Sequence, residues 1–393
     1  MSNVMFKQTK IGEIPEGWGE RFLEEVAIFK NGKSSPDRSD KYFFSVFGSN
    51  GVIGYSNEHN SDDGTVIIGR VGSYCGSVYY SNGKCWVTDN AIIGSVKVNN
   101  DSKFLYYLLL NLKLNQHRSG SGQPLLNQGI LNSLRTIVPA HAEQRAIAKI
   151  LSDLDAKIEL NHQMNKTLES IAQTLFKQWF VNFEFPGYKK IKIVGDIPEG
   201  WKRISLVDVV DVLGGGTPST TESSYWGEEM PFFTPKDAPV NCYVIETEKE
   251  ITLKGLENCN SQKYPRNTVF ITARGTVGKI CMAGCDMAMN QSCYAIRGKD
   301  GSEQQYYIYH LIKSLADQLT QNAHGTVFDT ITTETFRKIQ VIQPSKSVLN
   351  LFSTIVEPFY DLILSNIQET RKLAQIRDSV LPILMSGKIK VTH

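Results

Sequence analysis

The sequence predicts an α+β molecule: two similar α/β domains separated by a long antiparallel two-helix coiled coil, with pseudo-twofold symmetry. Three observations predict it. One unusual phrase is written twice. Each copy opens with a strand-like texture. Each copy closes on a long stretch with a seven-residue apolar repeat.

The phrase GEIPEGWGERF fills residues 12–22 and GDIPEGWKRIS fills 195–205, an offset of 183. Trp18 aligns with Trp201, Leu23 with Leu206, Val26 with Val209, Gly32 with Gly215 and Ser34 with Thr217. Farther on, TVIIGRVGSYCGSV (65–78) aligns with TVFITARGTVGKI (268–280) at an offset of 203, and Pro139 aligns with Pro344 at 205. The second copy therefore carries about twenty extra residues between the first two blocks. Two copies are too few for a solenoid and imply a pseudo-twofold molecule. The boundaries fall at 1–142 and 186–345 for the globular domains and at 143–185 and 346–393 for the helical spacers.

Each globular part holds short β-branched and aromatic runs punctuated by Gly, Asn and Ser, the texture of a partly antiparallel sheet. SNGK (81–84) reads as a hairpin turn. Helices are expected over 102–115 and 303–322. From Glu143 to Phe183 there is no Pro or Gly, and apolar residues recur by sevens. Ile147, Leu154, Leu168 and Leu175 form one seam position, and Leu151, Ile158, Ala172 and Trp179 the other. Asn161 and Asn165 interrupt the seam, and a buried Asn commonly fixes register. Shifted by 205, Phe352, Phe359, Leu373 and Val380 fill one seam, Val356, Ile363 and Leu384 the other, and Asn366 answers Asn161. Pro358 predicts a kink or a restart in the second helix.

Composition is that of a soluble globular chain, with 41% hydrophobic and 21% charged residues among 393. A net charge of +2 gives no global footprint for nucleic acid, so any such footprint must be local. The N-terminus has no apolar signal region, and the longest apolar run, FLYYLLLNL (104–112), is too short for a membrane span. Seven cysteines without such a signal point to reduced thiols and a cytoplasmic location.

Catalytic motifs are missing. No Asn/Asp-Pro-Pro-aromatic motif of an adenine methyltransferase occurs, and GGGTPST (214–220) and ARGTVGK (273–279) lack the spacing of a phosphate-binding loop. Cys281, Cys285 and Cys293 could be read as zinc ligands, but the first copy has no counterpart and no His lies near, so core thiols are expected. His117 and His324 are read as polar loop residues. No catalytic residue, metal ligand or cofactor is assigned.

What recurs instead is a set of loops rich in hydrogen-bonding side chains. The first copy offers Lys30, Asn31, Lys33, Ser34, Arg38, Asn50, Arg70, Ser73, Asn90, Arg118 and Gln123. The second offers Thr217, Lys236, Arg274, Thr276, Lys279, Asn290, Gln291, His324 and Thr326. Arg, Lys, Asn and Gln are the residues that read base edges in the major groove, and backbone at glycines can approach phosphates. Any single one could be a solvated loop residue; as a set repeated in both copies they point to double-stranded DNA. Two similar but unequal readers on opposed helices predict a bipartite, asymmetric target.

The repeated IPEGW, the TARGTVGK…NQS block, the helix start PAHAEQRAIAKILSDLD (139–155) and the ending RDSVLPILMSGKI (377–389) resemble the specificity subunit of a type I restriction-modification system, over nearly the whole chain. The resemblance implies two target recognition domains, each reading a few base pairs beside a non-specific spacer. It implies helices that dock two DNA-adenine methyltransferase (modification) subunits, which carry S-adenosylmethionine and flip the target adenine. It also implies restriction subunits with ATP-driven translocase motors, and no catalysis by this chain. The second helix departs from the pattern at PSKSVLNLF (344–352) and Pro358, which implies unequal docking surfaces.

Overall fold

The computed structural model describes residues 5–10, 12–119, 124–299, 304–323 and 330–391. The chain forms two compact units, Met1–Glu159 with Arg371–His393, and Leu160–Thr370. The division between these units falls within the long helices. The reason is packing: each long helix gives one part of its length to each unit's core.

In unit 1 the chain runs β1 (Phe6–Thr9), β2 (Gly12–Pro15), β3 (Gly19–Phe22), α1 (Leu23–Val26), β4 (Ala27–Asn31), β5 (Phe44–Gly48), β6 (Gly51–Ser56), β7 (Val66–Gly69), β8 (Val78–Tyr80), β9 (Cys85–Val87), β10 (Ala91–Val96), α2 (Ser102–Asn111), α3 (Gln128–Ser133), β11 (Arg135–Val138) and α4 (His141–Phe176). The central sheet has the order β4-β10-β7-β8, and a second sheet has the order β6-β5-β9. The central sheet is antiparallel, whereas β5 and β9 are parallel. Val66, Ile67 and Ile68 are all fully buried because β7 is covered on both faces. Val66 and Ile68 meet Phe104, Leu105 and Leu108 of α2, while Ile67 meets Phe47, Cys85 and Val87. Period-two geometry makes that division. Asp101 caps α2 by accepting from the Phe104 amide at 2.8 Å. The SNGK segment is not a hairpin. It leads from β8, paired with β7, to β9, paired with β5, so it carries the chain between sheets.

Unit 2 repeats the plan. Its elements are β12 (Ile193–Val194), β13 (Ile197–Pro198), β14 (Lys202–Ser205), α5 (Leu206–Val209), β15 (Val210–Gly214), β16 (Trp226–Phe233), β17 (Tyr243–Val244), β18 (Glu250–Ile251), α6 (Leu253–Glu257), β19 (Val269–Thr272), β20 (Ile280–Ala283), β21 (Ala288–Met289), β22 (Cys293–Gly298), α7 (Gln305–Ser314), α8 (Ala316–Ala323), α9 (Thr333–Arg337), β23 (Gln340–Gln343) and α10 (Lys346–Met385). The sheet β15-β22-β19-β20-β17 matches the unit 1 sheet with one strand added. The parallel pair β16/β21 matches β5/β9.

The long helices meet in antiparallel order. In unit 2, Asn161 Nδ2 donates to Glu369 Oε2 at 2.8 Å and Thr370 Oγ1 at 3.3 Å, and Asn366 Nδ2 donates to Asn165 Oδ1 at 2.9 Å. Farther along α4, the Phe176 ring lies 6.3 Å from that of Phe352. In unit 1, Arg377 Nη1 donates to Asp155 Oδ1 at 2.7 Å. Leu151, Asn161, Ile363 and Asn366 are buried, while Leu154, Ile158, Leu168, Leu175 and Leu373 are half-buried. Helix α10 continues through Pro358 without a restart. Pro358 and Thr354, whose carbonyl loses its usual donor, are both exposed, so water can satisfy that carbonyl. Among the described residues α10 alone is long and apolar enough to cross a membrane. Here Phe352, Val356, Tyr360 and Ile363 from that helix fill the unit 2 core.

The repeated phrase is a dock for a helix end. Trp18 is buried, donates from Nε1 to Glu143 Oε2 at 3.1 Å, and shares a core with Leu384 and Met385 from the end of α10. Gly387, at φ +67°, lets the chain turn there; a Cβ would stand 2.3 Å from Pro15 Cγ. Trp201 instead takes the end of α4, which finishes in a π-helical turn (Lys177–Val181). Its ring lies 6.2 Å from Phe180, 5.5 Å from Phe183 and 5.1 Å from Phe185.

Candidate nucleic-acid interface

In unit 1 the predicted residues gather where β4, β7 and the β9–β10 turn end together. Gly32 permits the close approach: a Cβ there would lie 2.1 Å from the Thr88 carbonyl oxygen. The Lys33 amide donates to Val87 O at 3.0 Å. Ser49 Oγ donates to Asn90 O at 2.5 Å, and the Arg70 amide donates to the same oxygen at 3.1 Å. The Leu126 amide donates to Arg70 O at 2.9 Å, and Leu125 pairs with Ser119, which brings Arg118 to the same end. Burial raises the Cys75 thiol, opposed by the nearby Arg118 charge. Lys33, Ser34, Asn50, Ser73, Asn90 and Arg118 are exposed.

Four first-copy residues depart from the loop reading. Lys30 and Asn31 are the last residues of strand β4, paired with Ile93 and Ile92, although their side chains are exposed. Arg38 Nη1 donates to Ile53 O at 3.0 Å, which ties it to the β5–β6 hairpin. Arg70 Nη1 donates to Asp89 O at 3.3 Å, which ties this guanidinium to the turn, while its buried Nε has no hydrogen-bond partner among the described residues. Gln123, His324 and Thr326 lie outside the described residues.

Unit 2 builds the same end with other side chains. Gly215 repeats Gly32, with a Cβ position 2.2 Å from Asn290 O. The Gly216 amide donates to Met289 O at 3.1 Å, and Thr217 Oγ1 donates to Gln291 Oε1 at 2.5 Å. The Ala273 and Arg274 amides both donate to Ser292 O, at 2.8 and 3.2 Å. Buried Thr272 braces the turn below them by donating to Thr276 O and accepting from the Lys279 amide. A cavity of about 470 Å³ opens here, lined by Thr217, Lys236, Arg274, Thr276 and Asn290. Gln291 pairs with Thr217 at its edge, and exposed Lys279 closes the same turn. The sequence reading missed Lys249 and Trp226, which also line the cavity, and Thr88 and Asp89, whose carbonyls fix the unit 1 end. Aligning Thr88–Asn90 with Asn290–Ser292 would have flagged the latter pair.

Cys281 and Cys293 are buried beside Phe233 and Phe270, and burial pushes both thiols up, as expected of core thiols; Cys285 packs at the edge of the same cluster. Among the described residues no cluster of His, Cys, Asp or Glu could hold a metal ion.

A family model described as the type I restriction modification DNA specificity domain matches residues 15–170 and again 198–376. The chain belongs to this family. It is a type I restriction-modification specificity subunit with two copies of the DNA specificity domain. It is similar to the HindI specificity subunit of Haemophilus influenzae, 27% identical over 73% of this chain and 77% of the relative. It is also similar to the MjaIX specificity subunit of Methanocaldococcus jannaschii, 24% identical over 98% of this chain and 96% of the relative. In fold it matches a type I restriction-modification S subunit from M. genitalium, with a TM-score of 0.66, 15% identity, and coverage of 94% of this chain and 96% of that one. The two specificity domains of the family coincide with the two copies of the sheet whose ends carry the polar side chains above.

Proposed function

We propose that this chain is the non-catalytic address reader of a cytoplasmic type I restriction-modification complex. Each unit reads one half of a bipartite, asymmetric double-stranded DNA target. Helices α4 and α10 act as an antiparallel coiled coil that sets the spacing and seats two DNA-adenine methyltransferase subunits, to which restriction and translocase subunits are added. S-adenosylmethionine chemistry belongs to those partners, and this chain takes no cofactor.

The observation that carries this reading is the duplicated sheet end. The backbone frame is the same twice, at Gly32 and at Gly215, while the side chains on it differ. A common frame with unequal side chains is what two half-sites of different sequence require. The test exchanges residues 12–142 for those of a relative and maps methylated adenines made by the complex. One half of the target should change and the other should stay. A change in both halves or in neither sinks the reading, as does methyl transfer by the purified chain alone.

A further inference from the structure

The two duplicated sheet ends hold their arginines differently. Arg70 of unit 1 is tied to the protein through Nη1 on the Asp89 carbonyl at 3.3 Å, while its buried Nε has no hydrogen-bond partner among the described residues. Arg274 of unit 2 is exposed, makes no side-chain hydrogen bond or ion pair among the described residues, and faces the cavity of about 470 Å³. Its backbone is nonetheless fixed. The Ala273 and Arg274 amides grip Ser292 O, and Gly275 follows at φ +76°, a turn that no β-carbon obstructs. Thr272 holds the far side of the turn through Thr276 and Lys279.

Around Arg274 the cavity is lined by cations, by hydrogen-bonding groups, by the rings of Trp226 and Phe232, and by one carboxylate, Glu248. Lys236 and Lys249 supply point charges on the rim. Lys236 sits in a turn locked by Asp237, which accepts from the Thr234 amide at 2.8 Å and from the Glu248 amide at 2.8 Å. Thr217 and Asn290 supply hydrogen-bonding groups beside the guanidinium. A planar fork on a stiff turn suits bidentate recognition, whereas an ammonium acts as a point charge toward phosphate.

We propose that Arg274 is the specificity-determining residue for a guanine in the half-site read by unit 2, donating in bidentate fashion to O6 and N7, while Lys236 and Lys249 hold the flanking phosphates. This rests on the reading given under Proposed function and narrows it to one residue and one base.

The experiment uses the complex of the full chain with its modification subunits. Methylation and binding are measured on duplexes substituted at each position of the half-site that the 12–142 exchange leaves unchanged. Arg274→Ala and Arg274→Lys should each reduce discrimination at one guanine by about 5- to 150-fold, the span expected for losing a bidentate contact. The other half-site should be read as before. Arg274→Lys keeps the charge and the stem, so it separates loss of the fork from loss of fold. Lys236→Ala should weaken all duplexes alike and reduce the salt dependence by about one ion. The assignment is overturned if Arg274→Ala weakens every duplex equally, if it leaves discrimination intact, or if that half-site holds no guanine. A wild-type complex that methylates no split target would instead overturn the broader reading.

Discussion

Helices α2 and α7 hold the same place in the two copies, yet they are tied to the long helices by different chemistry. Tyr107 aligns with His310 at an offset of 203, and Asp155 aligns with Tyr360 at 205. In unit 1, Tyr107 Oη donates to Asp155 Oδ2 at 2.5 Å, and Arg377 completes the tie on Oδ1. Burial and the Asp155 charge raise the Tyr107 phenol. In unit 2 the equivalent pair is Tyr360 Oη and His310 Nε2 at 2.7 Å, both buried. Glu169 adds a second tie, accepting from Tyr309 Oη at 2.7 Å and Lys313 Nζ at 2.6 Å. Duplication has kept the position of the tie and changed its chemistry: at the aligned positions a tyrosine–carboxylate bond is replaced by a Tyr–His pair, and the ion pair of unit 2 lies instead at Glu169 and Lys313. What these copies must preserve is the placement of a sheet on a helix.

The sharpest way to separate the two ties is acid. Burial, with the Lys313 charge as the second cause, pushes His310 down to about 3. The unfolded chain takes up that proton near its ordinary value of about 6.5. Unit 2 therefore has its full stability above pH about 6.5 and loses it as pH falls toward about 3, by about 1.4 kcal/mol per pH unit within that window. Hydrogen exchange of the α7 amides should show this loss, and His310→Phe should flatten it. If α2 of unit 1 loosened over the same range with the same slope, the contrast between the ties would be broken.

Next in size is the ionic tie itself. Asp155→Ala leaves the buried Tyr107 hydroxyl without its acceptor and Arg377 with Asp378 alone, and should cost about 2 kcal/mol. The loss should appear in protection of α2 and leave α7 as it was. An equal loss at α7 would mean that the ties are not separable.

The smallest effect concerns the two docks of the repeated phrase. Gly387→Ala places a β-carbon against Pro15 at positive φ and should cost about 1–2 kcal/mol in unit 1 thermal stability. The chain after α4 makes its left-handed turn with Phe183 at φ +63°, where the ring contact with Trp201 compensates. A neutral Gly387→Ala would show that the first dock tolerates the same solution.

Much of this was legible in the sequence because it depends on period and repetition. The heptads around Leu151, Asn161, Ile363 and Asn366 follow from spacing alone, and so does the correspondence of Gly32 with Gly215. The SNGK turn misled because local turn chemistry does not say which strands it joins. The restart expected at Pro358 does not occur, because the cost of proline in a helix depends on whether water reaches the freed carbonyl. At the candidate interface, residue type identified Arg70 and Arg274 equally well. Only tertiary contacts separate the two, because the Asp89 carbonyl that Arg70 reaches is a product of the fold.

The discontinuity of unit 1 has a consequence for synthesis. Residues 1–159 leave the ribosome well before Leu384 and Met385, which share their core beside Trp18. Unit 1 must therefore wait for the end of α10 before its core, which includes Ile147 and Leu151, is complete, a reversal of the usual vectorial order in which the first domain matures first. A nonsense codon after residue 370 would remove nothing from the first 159 residues and would still leave that module unfinished.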